Sequence, residues 1–82
     1  MPDEFSPEAF KLEAQQVLDQ LKKQGLIPFK ITAMLVEWAG VDKYAIHFYE
    51  TRFPTIIVSW VEGESFRDVF RLAVLDRLSR MK

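Results

Sequence analysis

The sequence contains no cysteine. Disulfide bonds, thiolate nucleophiles and cysteine-ligated zinc or iron–sulfur centres are thereby excluded, and a cytoplasmic setting is slightly favoured. Histidine is almost as scarce, His47 being the only imidazole, so transition metals are left without a ligand set and no metal site is expected. The three glycines, Gly25, Gly40 and Gly63, are scattered among turn positions. No phosphate-cradling loop or dinucleotide fingerprint can be assembled from them, and no cofactor is expected. Apolar runs stay well short of the roughly 18–20 residues of a membrane span. The opening MPDEFSPEAF is acidic and lacks the basic and apolar regions of a signal peptide. Net charge is also nearly absent: the total is −1, so no bulk field draws the chain to nucleic acid or to anionic membrane.

What is present is the composition of a folded domain. Of 82 residues, 49% are hydrophobic and 28% charged, which opposes disorder and fits a single domain spanning residues 1–82. The first helix is clearly marked. Ser6 is a natural N-cap and Pro7 suits the next position, where no N–H is needed. Phe5 and Phe10 stand where a hydrophobic staple would form. Phe10, Ala14, Val17, Leu18 and Leu21 follow at helical spacing, and Gly25 with Pro28 ends the element.

From Phe29 the period changes to two. FKITAMLVEW, KYAIHFYE and PTIIVSWV are rich in β-branched and aromatic residues. Ala39-Gly40-Val41-Asp42 closes the first hairpin, and the second turns around Thr51-Arg52-Phe53. Phe53 is expected to fold back over the edge of the core. Loops this short force antiparallel neighbours, giving a meander in the order 1-2-3. Ser65 then caps a second helix whose Phe66, Phe70, Val74, Leu78 and Met81 mark one face. The predicted fold is α+β, in the order α-β-β-β-α, with both helices on one face of the sheet.

That element order resembles the double-stranded-RNA-binding domain. In that family the last helix opens with a glycine, a small residue and a set of lysines that grip phosphates. Aligned on Gly63, the small position is Ser65, one basic position is Arg67 and a later alanine position is Ala73. The two other basic positions fall on Phe66 and Phe70, and the first hairpin loop reads AGVD in place of the family's proline and histidine. The resemblance implies a nucleic-acid module contacting phosphate through Lys43, Ser65, Arg67 and Arg71, with much of the basic clamp missing.

Catalytic signals are sparse. His47 could serve as a general base beside Glu37, Glu50 or a tyrosine, but no nucleophile elbow accompanies it. A non-enzymatic domain is expected. The strands carry the more informative pattern. Strict alternation puts Phe29, Ile31, Ala33, Leu35, Tyr44, Ile46, Phe48, Ile56, Val58 and Trp60 on the helix-covered face. The opposite face, which should be polar, then holds Met34, Val36, Trp38, His47, Tyr49 and Ile57. Val36 is placed across from Ala45, Met34 across from His47, and His47 beside Ile57. Contiguous exposed apolar surface of this composition marks a protein interface. The expected role is a small interaction domain that forms a homodimer or binds another protein through this open face.

Overall fold

The computed structural model describes residues 6–81, and Phe5, expected in the staple, lies outside them. Helix α1 runs Pro7–Lys23. Ser6 caps it, its Oγ accepting the Ala9 N–H at 3.4 Å. The C-terminus closes in a Schellman arrangement: Leu26 N–H donates to the Leu21 carbonyl at 3.0 Å, and Gly25 takes φ +77°, a conformation that favours glycine. Three strands follow, β1 (Ala33–Gly40), β2 (Lys43–Phe48) and β3 (Ile56–Ser59), antiparallel in the order 1-2-3. Helix α2 (Phe66–Arg80) completes the chain. Its cap is Ser65, whose Oγ accepts the Asp68 N–H at 3.3 Å. The expected α+β order is therefore the observed one.

Both helices lie on the same face of the sheet, α1 against β1, α2 against β3, and each against the other. One core joins them. Phe10 of α1 stacks on Phe66 of α2 with ring centroids 4.3 Å apart, and meets Trp60 and Tyr44 edge-on at 5.0 and 6.2 Å. Burying side chains of this size contributes roughly 1.5–3 kcal/mol each, so the aromatic cluster between the helices dominates the packing. Phe53 folds inward as expected; it is buried edge-on to Phe48 at 4.9 Å. Beside it the Arg52 guanidinium lies 4.4 Å over the Phe29 ring, covering apolar surface that the hairpin would otherwise expose.

Strand β1 departs from strict alternation. Its register runs Ala33 opposite Phe48 and then Leu35 opposite His47, so one extra residue is inserted between Ala33 and Leu35. Such a β-bulge exchanges the faces of everything that follows. Val36 pairs with Ile46 and is 3% exposed in the core, while Leu35 turns to the open face and is 40% exposed. Three assignments by parity are corrected: Leu35 stands on the open face, Val36 belongs to the core, and Trp38, opposite Tyr44, shares the helix-side face. Trp38 nonetheless remains 47% exposed near the end of its strand. The physical reason is the core itself, which gains the branched Val36 and is spared Glu37, a carboxylate that strict alternation after Leu35 would have buried.

A second irregularity follows Trp38, with Gly40 opposite Lys43. The first turn is accordingly tighter than the four residues expected, only Val41 and Asp42 lying between the strands. Asp42 adopts φ +57° there, a left-handed conformation that aspartate tolerates better than most residues.

The free edge is capped by one side chain where the chain enters β1. Gln15 of α1 accepts the Ala33 N–H through Oε1 at 2.8 Å and donates Nε2 to the Ile31 carbonyl at 3.3 Å. A side-chain amide thus makes the pair of bonds that a neighbouring strand would make, and an edge closed in this way resists pairing with another chain.

Candidate functional site

The face of the sheet turned away from the helices carries the candidate site, because no described element covers it. Its rows follow from the register. Lys43 lies opposite Ser59; Ala45 lies between Glu37 and Ile57; His47 is opposite Leu35. Ile57 is 60% exposed, whereas Ala45 is buried although no helix reaches it, its methyl group being small enough for its neighbours to screen. Leu35 and Ile57 therefore stand as two apolar projections on opposite outer strands.

Between them lies a polar network. Nε2 of His47 is 2.6 Å from Oε1 of Glu37, and its Nδ1 is 3.0 Å from Oγ1 of Thr55. The three side chains come from β1, β2 and the start of β3, so the network spans the sheet. With Glu37 ionised, Nε2 carries the proton and donates to the carboxylate. In neutral His47 the Nδ1 lone pair then accepts the Thr55 O–H. All three groups are reachable from solvent, the His47 side chain least so.

The structure distributes the residues expected at this site unevenly. His47 and Ile57 stand on the open face, and Met34 is half-buried at the bulge. The cross-strand neighbour of His47 on β1 is Leu35, and its hydrogen-bonding neighbour toward β3 is Thr55; the expected partners Met34 and Ile57 are displaced from those places. Tyr49 is exposed but lines a groove along the β1 edge with Lys11, Leu12, Gln15 and Lys30 of the other face, about 510 Å³ in volume. Strict alternation left Leu35 and Glu37 off this face; it put Thr55 there beside Ile57, but not as the hydrogen-bonding partner of His47. One signal was available: alternation carried past Leu35 would put the Glu37 carboxylate in the core, a placement expensive enough to demand a bulge.

Glu50 is not part of this network. Its Oε1 accepts the Thr32 N–H at 2.6 Å and pins the second hairpin to the chain entering β1. Burial pushes its carboxyl upward, but backbone hydrogen bonds from Thr32 and Glu50 itself, with the charge of Lys30, outweigh this and hold it below its ordinary value.

Of the residues implied by the nucleic-acid resemblance, Lys43 stands at one end of the open face, whereas the other three belong to α2 and its cap. Ser65 Oγ is engaged as the α2 cap, Arg67 donates to Gln16 of α1, and Arg71 is exposed on α2. Lys43 reaches the same end of the molecule, where Trp60 N–H donates to the Asp42 carbonyl at 2.9 Å. That end also carries Asp42, Glu62 and Glu64. Its negative field registers on buried Tyr44, whose phenol is pushed up by burial first and then by Asp42 and Glu62.

Among the described residues, no group of three or more histidine, cysteine, aspartate or glutamate side chains could hold a metal ion, and no helix is long and apolar enough to cross a membrane. Comparison with protein-family models, with curated proteins and with solved structures finds no match.

Proposed function

We propose that the open sheet face is a protein-interaction surface through which this chain pairs with a second copy of itself. The observation that carries the reading is the exposure of Leu35 and Ile57 on either side of His47, on a face that no described element covers. A second copy suits this face because its charges are balanced, Glu37 against Lys43, so a two-fold partner meets no net like charge. Size sets a limit. The longest extents of the molecule, 35 × 21 Å, restrict a flat face to about 700 Å², near the low end of the ~800 Å² per partner found in stable interfaces. A concentration-dependent dimer is thus the expected form, in a cytoplasmic setting compatible with a chain that needs no disulfide.

The alternative, a nucleic-acid module using Lys43, Ser65, Arg67 and Arg71, has less behind it. Asp42, Glu62 and Glu64 share the end where those residues would grip phosphate, and repulsion there opposes the main source of affinity.

Light scattering across a hundredfold range of concentration tests the proposal. The native chain is expected to move from monomer to dimer, and Ile57→Lys, at an exposed position, to remain monomeric with unchanged thermal stability. A variant that dimerises like the native chain would sink the reading. A native chain that stays monomeric but captures duplex RNA with a steep salt dependence would replace it with the alternative.

A further inference from the structure

We infer that Glu37 and His47 form half of a zinc site, which the same pair from a second copy completes, so that one Zn²⁺ bridges the two open faces. This rests on the reading of the face as a self-association surface, and goes beyond it by naming the ligand that controls the association.

The donors are already adjacent. Nε2 of His47 and Oε1 of Glu37 stand 2.6 Å apart on the open face. In tetrahedral zinc, with bonds of about 2.0–2.1 Å, two donors lie about 3.3 Å apart. Separating the pair by less than about 1 Å therefore admits the ion. The support behind the imidazole is also in place. A zinc-bound histidine needs its other ring N–H held by an acceptor, and Thr55 Oγ1 lies 3.0 Å from Nδ1. When Nε2 takes the metal, the ring proton moves to Nδ1 and donates to Thr55, so neutral His47 binds with no net loss of a proton.

One chain cannot finish the site, since no third ligand stands beside the pair among the described residues. A two-fold copy supplies two further donors and makes a four-coordinate N₂O₂ set. His47 lies on the middle strand of three, where an axis through the centre of the face brings a residue opposite its own copy. Sheets that pack face to face are about 10 Å apart, a gap suited to one ion held by side chains from both sides. Two carboxylates, two neutral imidazoles and Zn²⁺ also sum to zero charge, which lets the site be buried without an uncompensated ion. A bridging metal would strengthen an interface that is small by area alone.

The experiment is a titration of zinc chloride into the full-length chain, purified in chelator, at a concentration where it is monomeric. Calorimetry gives the stoichiometry and light scattering the mass. Expected are 0.5 Zn²⁺ per chain, a doubling of mass over the same range, reversal by chelator and no response to Mg²⁺. His47→Ala and Glu37→Gln should each weaken zinc binding by more than about tenfold, and Thr55→Val by about tenfold. Should His47→Ala fail to fold, as judged by circular dichroism, the other two variants decide. One Zn²⁺ per chain without a change in mass, or zinc-driven dimerisation that survives Glu37→Gln, overturns the site. A dimer that forms equally well with chelator present removes the metal but leaves self-association standing. A chain that is monomeric at every concentration, with or without zinc, removes both.

Discussion

Glu37 and His47 meet at 2.6 Å because one extra residue is inserted in β1. Without that bulge, alternation from Ala33 would turn Glu37 into the core and Val36 out to solvent, and no polar network would cross the sheet. A local backbone irregularity thus selects which side chains face a partner, which is a recurrent use of β-bulges.

The first prediction tests that register. Val36→Ala should destabilise the fold by about 2 kcal/mol, since it leaves a cavity in a packed core. Leu35→Ala should stay within about 0.5 kcal/mol, as exposed substitutions do. Urea denaturation of the two variants measures both. Strict alternation demands the opposite order, so a larger loss in Leu35→Ala would show the bulge to be wrong.

Gln15 supports a second prediction. Gln15→Leu keeps the bulk but removes both bonds to the β1 edge, leaving the Ala33 N–H and the Ile31 carbonyl without their partner. A loss of about 1–2 kcal/mol is expected. The uncovered edge should also raise the tendency to aggregate on heating. Gln15→Glu retains the acceptor for Ala33 but not the donor to Ile31, and should fall between the two in chemical denaturation.

The third concerns pH. The folded-state pKa of Glu50 lies below its ordinary value of 4.5. A depressed carboxyl contributes stability that is fully present above the unfolded-state pKa and is lost as pH falls through the folded-state pKa. Thermal stability should therefore decline as the pH drops below about 4.5, with Glu50 among the causes. Glu50→Gln keeps an acceptor for the Thr32 N–H but does not titrate. Its melting temperature should be lower at pH 7 and should fall less steeply between pH 5 and pH 3. Parallel curves for variant and native chain would exclude Glu50 from the acid response.

Much of the architecture was legible in the residues. Ser6 and Ser65 announced their helices because a hydroxyl before an amphipathic run satisfies the first free N–H groups, and Gly25 ended α1 because few other residues accept its conformation. The strand order followed from loops too short to cross over. These are local rules, written within a few residues of where they act. The site was legible only in part. His47 and Ile57 were placed on the open face because β2 and β3 keep a period of two. Leu35, Val36 and Trp38 were assigned to the wrong faces because a bulge leaves the apolar pattern of AMLVEW nearly unchanged while reversing its direction.

The sequence by itself determined the elements, their order and the aromatic core, since caps, turn residues and periodicity act through neighbouring atoms. Only the tertiary structure decided which face Glu37 occupies, that Thr55 holds the imidazole of His47, and that Gln15 closes the sheet edge. Each of those depends on residues 8 to 18 positions apart in the chain. Their approach is set by packing the whole sheet against two helices, where the cost of burying one carboxylate outweighs the regularity of one strand.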